Sequence, residues 1–112
     1  MIDLFTLKEL DDFILSFDGV RSDKPYDENT TVYYLDGLMF ALIDFSKKPI
    51  QISLRCDWQL GNILKDKYEE VIPAVKLNPK QWITILITGQ LSKTEIQDLI
   101  RHSLELAKNS TD

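Results

Sequence analysis

Arg55-Cys-Asp-Trp-Gln-Leu-Gly-Asn opens the stretch of sequence that decides the fold, and Val-Ile-Pro-Ala-Val-Lys-Leu-Asn-Pro-Lys-Gln-Trp82-Ile-Thr-Ile85 closes it. In order, this stretch predicts the end of a strand, a short helix capped by Asp57, an irregular loop over residues 69–81 and a strand that begins at Trp82. Loops of this length without secondary structure are uncommon in compact domains and are often functional. We therefore expect a contact surface near this loop.

Three strands precede or open this stretch. Residues 31–35 and 38–44 are rich in β-branched, aromatic and apolar side chains, and Asp36-Gly37 between them is a strong signal for a two-residue hairpin turn. From Ile50 to Arg55, apolar residues alternate with polar ones. This alternation predicts a half-buried third strand.

Capping boxes mark the first and last helices. Thr6-Leu-Lys-Glu9 begins a helix that Gly19 is placed to end, and Ser92-Lys-Thr-Glu95 begins the C-terminal helix. A third, short helix is predicted over residues 58–67. Its inward-facing residues are predicted to be Leu60, Ile63 and Leu64.

The elements follow the order α-β-β-β-α-β-α in a single domain that spans residues 1–112. Hairpin links predict a largely antiparallel sheet of four or more strands with three helices on one face, so the predicted class is α+β. The polar residues 20–30 and the Pro-containing residues 69–81 are predicted to be loops. A chain of 112 residues is long enough to bury a substantial core.

Composition limits the classes of protein to consider. A content of 44% hydrophobic and 28% charged residues is ordinary for a soluble globular protein. No apolar run reaches the ~20 residues that a membrane span needs, and the N-terminus lacks a signal-peptide core. The single cysteine, Cys56, excludes an internal disulfide and fits a reducing compartment. We therefore expect a cytoplasmic protein without membrane contact.

Charge is distributed unevenly along the chain. The net charge of −5 argues mildly against nucleic acid, but residues 47–80 hold seven basic and four acidic side chains, against three and ten in residues 1–46. A local basic patch can steer an anionic ligand even to an acidic protein. The alternative is that these lysines scatter over the solvated surface. They are Lys47, Lys48, Lys65, Lys67, Lys76 and Lys80.

Successive side chains of a strand point to opposite faces of the sheet. Polar residues of the third and fourth strands are therefore predicted to lie on the face away from the helices. If Trp82 is exposed there beside Arg55, the pair suits contact with a base or a partner chain. The alternative packs Trp82 beneath the 69–81 loop. Lys76, Asn78 and Lys80 belong to that loop and are candidates for phosphate contacts.

No set of residues resembles a catalytic or metal site. Neighbouring helix positions point about 100° apart, so His102 and Ser103 cannot form a nucleophile–base dyad. Cys56 lies close to a helix N-terminus, which can lower a thiol pKa, although a small buried cysteine is the interpretation that we favour. Metal-binding and phosphate-cradling motifs are absent from the sequence. We expect no enzymatic activity, no cofactor and no metal.

Taken together, the motifs resemble those of the MmcQ/YjbR family. The resemblance implies a double-wing α+β fold, similar in outline to the CyaY/frataxin fold, with the hairpin turns as wing-like elements. It also implies DNA binding by analogy with other double-wing domains, and no assigned enzymatic activity. Histidines that the family commonly carries are replaced here by Lys76 and Gln81. The matching segments are Gly37-Leu-Met-Phe-Ala-Leu42, Ile52-Ser-Leu-Arg-Cys-Asp57, Tyr68-Glu-Glu-Val-Ile-Pro-Ala74, Leu77-Asn78, Trp82-Ile-Thr84 and the helix Ile96–Ser103.

These observations predict a non-enzymatic binding protein with DNA as its ligand. The alternative is a protein-interaction or small-ligand module that uses the Arg55/Trp82 sheet face and the 69–81 loop. An enzyme would instead need a concave pocket around Lys76, Asn78 and Trp82. Clustering of the basic residues on one face would favour DNA. The predicted contact residues are Lys47, Lys48, Arg55, Lys76, Asn78, Lys80 and Trp82.

Overall fold

The computed structural model describes residues 4–74 and 76–110, so Val75 of the predicted 69–81 loop lies outside the described residues. The described residues form three helices and six strands, and the strands make one antiparallel sheet in the order β1-β2-β3-β4-β6-β5. The predicted α+β class is confirmed. In chain order the elements are α1 (Leu7–Leu15), β1 (Val20–Asp23), β2 (Thr30–Leu35), β3 (Leu38–Asp44), β4 (Gln51–Arg55), α2 (Trp58–Lys67), β5 (Val71–Pro73), β6 (Trp82–Leu86) and α3 (Lys93–Asn109).

The two edge strands, β1 and β5, fall in segments that the sequence predicts to be loops. Three of the four residues of β1 are exposed, so its side chains carry no alternating pattern and its backbone pairing with β2 defines it. Strand β5 has three residues and ends at Pro73, a residue that is confined to edge strands because it cannot donate to the ladder. Both loop predictions are therefore wrong over these short strands.

Both capping boxes are present at α1 and α3, and the Asp57 carboxylate accepts a hydrogen bond from the Leu60 N–H at 3.1 Å to cap α2. The inward orientation predicted for Ile63 is wrong, since this side chain is 61% exposed. Helix α2 instead turns Gly61 to the sheet, where a Cβ would lie 3.3 Å from Ile83 Cγ2. Ile63 follows Gly61 by two residues, about 200° around the helix, and points away.

All three helices pack on the same face of the sheet. Tyr33 on this face donates a hydrogen bond from its hydroxyl to Asp11 of α1 at 2.7 Å, and Ile83 contacts α2 through Gly61. The core residues of β2, β3, β4 and β6 join those of α3 in one buried cluster. The opposite face, called here the outer face, carries the alternate residues of each strand. It includes Tyr34, Met39, Leu42, Ser53, Arg55, Ile72, Trp82 and Thr84.

A β-bulge interrupts the β2–β3 hairpin. The register pairs Tyr33 with Ala41 but Tyr34 with Met39, so Phe40 is one residue more than the ladder needs. Phe40 is fully buried. Bulges bend a strand and redirect its side chains and carbonyls, and here the consequence appears on the other edge of β3.

A side chain from α3 closes the gap that the bulge leaves between β3 and β4. Regular pairing of these strands begins at Ala41 and Leu54, and the next pair would join Phe40 to Arg55. Instead, the buried Ser103 hydroxyl donates to the Phe40 carbonyl at 2.5 Å and accepts from the Arg55 N–H at 2.9 Å. Ser103 therefore replaces the missing ladder bond.

A buried carboxylate orders the connection between β6 and α3. Glu70 accepts hydrogen bonds from the backbone N–H groups of Leu91 at 2.5 Å and Thr88 at 3.2 Å, and also from the Thr88 hydroxyl. Its own N–H donates to the Gln90 side chain at 3.2 Å. These bonds join the start of β5 to the loop that introduces α3. Within the described residues, no helix combines the length and the apolar character that crossing a membrane requires.

Candidate functional site

Arg55 and Trp82 face each other where β4 ends and β6 begins, as a cross-strand pair on the outer face. The Arg55 guanidinium carbon lies 4.9 Å from the indole centroid, and Nε donates to the Met39 carbonyl at 2.7 Å. Burial lowers the pKa of the Arg55 side chain, and Trp82 is only 4% exposed. Trp82 is therefore packed rather than exposed, and a base cannot stack on it while Arg55 holds this position.

The loop before β6 takes its shape from Asn78. The Asn78 side-chain oxygen accepts from the Lys80 N–H, and the Asn78 carbonyl accepts from the Gln81 N–H, each at 3.0 Å. Lys76 adopts a left-handed backbone with φ +69°. The Gln81 carbonyl accepts from the Cys56 N–H at 2.9 Å, which ties the loop to the end of β4. Asn78 thus orders a loop on which Lys76 and Lys80 are exposed.

One exposed aromatic residue, not identified from the sequence, lies two residues after the Cys56 N–H that the loop binds. Trp58 is the first residue of α2, and 48% of its surface is exposed. The Lys65 ammonium lies 5.3 Å from the centroid of its ring. The available signal was the position of Trp58 directly after the cap Asp57, outside the apolar stripe of the helix. The basic corner is the name used below for the region around the end of β4. There Arg55 lies on the outer face, Trp58 and Lys65 lie on α2, which packs on the helix face, and Lys76, Asn78 and Lys80 lie on the loop before β6.

The predicted contact residues divide between two ends of the sheet. Arg55, Trp82 and the three predicted loop residues lie at or beside the basic corner. Lys47 and Lys48 lie in the turn between β3 and β4, at the opposite end of a strand that rises roughly 13 Å along its length. Lys67 is at the far end of α2, with its ammonium 5.2 Å from the Tyr68 ring. The six lysines therefore do not form one continuous patch.

The cations of the basic corner have no carboxylate partner among residues 4–74 and 76–110. Of the carboxylates that are near in sequence, Asp57 caps α2 with its side chain, and Asp66, which follows Lys65, is exposed. The positive charge at the corner is therefore not neutralised by an ion pair within this part of the chain. Ion pairs among the described residues lie on α1 and α3, and they include Lys8–Asp12, Lys93–Glu9, Arg101–Asp98 and Lys108–Glu105.

Two adjacent residues of α3, His102 and Ser103, form hydrogen bonds with the backbone of the basic corner. His102 accepts the Asp57 N–H at Nε2 with a distance of 3.1 Å. Ser103 accepts the Arg55 N–H and donates to the Phe40 carbonyl. Both side chains are thereby engaged with the backbone, and they do not contact each other as a nucleophile and its base would. Their positioning role was invisible in the sequence, because each bond spans more than forty residues.

Cys56 lies between the two backbone groups that α3 holds. Its side chain is buried, and burial, with a smaller contribution from Asp57, raises the pKa of the thiol to about 11. The thiol is therefore protonated at neutral pH, in agreement with the interpretation of a small buried cysteine. Across the described part of the chain, no group of three or more histidine, cysteine or acidic side chains is arranged to hold a metal ion.

Two clefts lie away from the basic corner. The first has a volume of about 680 Å³ at the β1–β2 edge, where Arg21, Asp23 and Tyr34 line it. The second has about 410 Å³ between α1 and β1, beside Asp11 and Lys24. The residues that line these clefts do not include Lys76, Asn78 or Trp82, around which an enzyme would need a concave pocket.

Comparison with known proteins connects this geometry to a family. A family model described as YjbR matches residues 15–106. Two curated relatives, each called uncharacterized protein YjbR, come from Escherichia coli strains K12 and O157:H7. Each is 24% identical over 104 residues, which covers 93% of this chain and 88% of the relative.

Two solved structures share the fold. The Deinococcus radiodurans protein DR2400, described as having a DUF419 domain, gives a TM-score of 0.89 at 24% identity, covering 94% of this chain and 80% of its own. A protein from Pseudomonas syringae gives a TM-score of 0.80 at 24% identity, covering 92% of this chain and 99% of its own. These two similarities concern the fold alone.

Proposed function

The chain belongs to the YjbR family, and we propose that it is a non-enzymatic cytoplasmic protein that binds DNA through its basic corner. The observation that carries the proposal is the set of cations there without a carboxylate partner among the described residues. Lysine and arginine side chains contact phosphates without reading the base sequence. The overall acidity of the chain limits such binding to this region, because the remaining surface repels the nucleic acid backbone.

The corner combines one fixed cation with mobile ones. Arg55 is held by Met39 and by the ring of Trp82, so its planar guanidinium needs little ordering before it meets a phosphate. Lys76 and Lys80 are exposed on the adjacent loop, where their flexible side chains can adapt to the backbone of the ligand. This arrangement favours binding that is weak at physiological salt and insensitive to sequence.

Salt dependence provides the test. Anisotropy of labelled duplex DNA should show binding at ~50 mM salt that falls steeply by ~200 mM, because each phosphate contact contributes roughly 0.9 to the slope of log affinity against log salt. The double variant Lys76→Ala/Lys80→Ala should lower that slope by about 2 and weaken binding at the lower salt.

The chain offers a matched control for this experiment. Lys47→Ala/Lys48→Ala removes the same charge from the opposite end of β4, so it reproduces any long-range effect of net charge. We expect this control to retain the wild-type slope. Absence of binding at low salt, or an equal loss in both double variants, would refute a local phosphate site at the basic corner.

The outer face favours a second candidate function, docking of a partner protein. The three helices cover the other face, and Met39, Leu42 and Ile72 remain partly exposed around the Ser53–Thr84 hydroxyl pair, whose oxygens are 2.8 Å apart. Binding of this kind would depend little on salt. A partner whose affinity is unchanged by salt and by the Lys76/Lys80 substitutions, but is lost in Leu42→Glu, would favour this function over DNA binding.

A further inference from the structure

We infer that the basic corner prefers single-stranded nucleic acid, with an unpaired base stacked on Trp58, an inference that rests on the DNA binding proposed above. Among the large hydrophobic side chains that are exposed within the described residues, Trp58 is the aromatic one that lies beside a cation of the corner, Lys65. Tryptophan is enriched at interfaces because its ring combines a large apolar surface with a polar N–H group, and a base ring is a flat group that can stack on that surface.

The backbone fixes where the Trp58 ring lies. Trp58 follows Asp57, whose N–H is bound by His102 and whose carboxylate caps α2. The Cys56 N–H immediately before is bound by the Gln81 carbonyl. The indole therefore projects from the rigid junction of a strand and a helix, and stacking on it requires no ordering of a loop.

A cation accompanies the ring on the same side of α2. Lys65 follows Trp58 by seven residues, which is close to two helical turns, so both side chains lie on one stripe of the helix. The Lys65 ammonium lies over one face of the Trp58 ring, 5.3 Å from its centroid, so the base is inferred to stack on the opposite face. Lys65 has no carboxylate partner among the described residues. A phosphate next to a stacked base can therefore meet Lys65, which gives the stripe both contacts that a nucleotide requires.

Stacking on Trp58 distinguishes single strands from duplexes. In a duplex the faces of the bases are already stacked on one another, whereas a single strand can turn a base outward at small cost. Trp82 cannot take this role because it is 4% exposed and lies against Arg55. Every base has a π face, so we expect the preference to be for strandedness rather than for sequence.

The experiment compares labelled oligothymidylate with the same strand paired to oligoadenylate. Trp58→Ala should weaken the single strand roughly tenfold, the effect expected when one base loses an aromatic stacking partner, and should change duplex binding less than twofold. Trp58→Phe should restore most of the affinity. Ile63→Ala is the matched control, since it removes an exposed apolar side chain from the same helix and should change neither.

Intrinsic fluorescence provides a second readout. The chain has two tryptophans, so Trp58→Phe leaves Trp82 as the remaining emitter. Oligothymidylate should quench the emission of the wild-type protein, and the quenching should disappear in Trp58→Phe. Equal binding of duplex and single strand, with Trp58→Ala unaffected, would overturn the stacking inference and leave DNA binding standing. Absence of binding to either probe would overturn both.

Discussion

Ser103→Ala removes the hydroxyl that joins β3 to β4 beside the Phe40 bulge. Ser103 is fully buried, and its hydroxyl bonds the Phe40 carbonyl at 2.5 Å and the Arg55 N–H at 2.9 Å. Alanine leaves both backbone groups without a partner. An orphaned buried polar group costs about 1–3 kcal/mol. Because the bond to Arg55 is only partly buried, we expect a total loss of about 2–4 kcal/mol in the free energy of unfolding.

Urea denaturation followed by tryptophan fluorescence measures this loss. A domain of this size has a stability of roughly 6–17 kcal/mol, so the variant should remain folded at low urea. The Arg55 amide should also exchange its proton faster, because its acceptor is gone. Ser110→Ala is the control on the same helix, where an exposed hydroxyl bonds the Leu106 carbonyl at 2.6 Å, and its effect should stay within about 0.5 kcal/mol.

If Ser103→Ala costs no more than the Ser110 control and the Arg55 amide keeps its protection, the hydroxyl does not close the gap between β3 and β4. The Phe40 carbonyl would then have another partner. Helix α3 would then not position the basic corner through this bond.

Three further substitutions test other buried groups. Glu70→Gln puts an amide where a carboxylate accepts several loop N–H groups, and urea denaturation should show a loss of about 2–3 kcal/mol. Burial raises the pKa of the Cys56 thiol from 9.0 to about 11. As the pH rises through this range, the unfolded thiol loses its proton before the folded one, so the free energy of unfolding measured by urea denaturation should fall. The fall should be smaller in Cys56→Ala. Tyr33→Phe removes a 2.7 Å hydrogen bond to Asp11 and should cost about 2 kcal/mol by the same urea assay.

Local signals in the sequence predicted most of the fold. The Asp36-Gly37 turn has φ values of +50° and +81°, the pair of positive angles that a tight hairpin turn requires. Both capping boxes form as the spacing of Thr6 and Ser92 predicted. These features depend on residues within a few positions of one another. For that reason a single sequence is sufficient to identify them.

The long-range polar contacts could not be predicted from the sequence. Glu70 and Ser103 are both buried, although glutamate and serine are residue types that mostly lie on the surface. Their burial is possible because backbone groups far along the chain satisfy them, and no local pattern reports such partners. The edge strand β1 was not predicted for a related reason. Its pairing depends on the backbone of β2, and most of its side chains face solvent.

Topology decided which candidate residues meet. The sequence showed an excess of cations in residues 47–80, but an antiparallel β4 carries Lys47 and Lys48 to one end and Arg55 to the other. The strand pattern in the sequence indicates Trp82 as the contact aromatic residue, whereas the structure exposes Trp58 and buries Trp82. Charge counts can therefore predict that a basic region exists. Which residues belong to it depends on the order of the strands and on which aromatic residue is buried in the structure.

Three consecutive backbone amides fix residues 55–57 of the basic corner. The N–H groups of Arg55, Cys56 and Asp57 are bound respectively by Ser103, by the Gln81 carbonyl and by His102. The partners come from α3 and from the residue before β6, so the segment is held from two sides. Ligand contacts built on rigid elements lose less conformational entropy on binding than contacts built on loops. The adjacent His102 and Ser103, which have no chemical role as a pair, therefore act by fixing where the guanidinium and the indole of the corner lie.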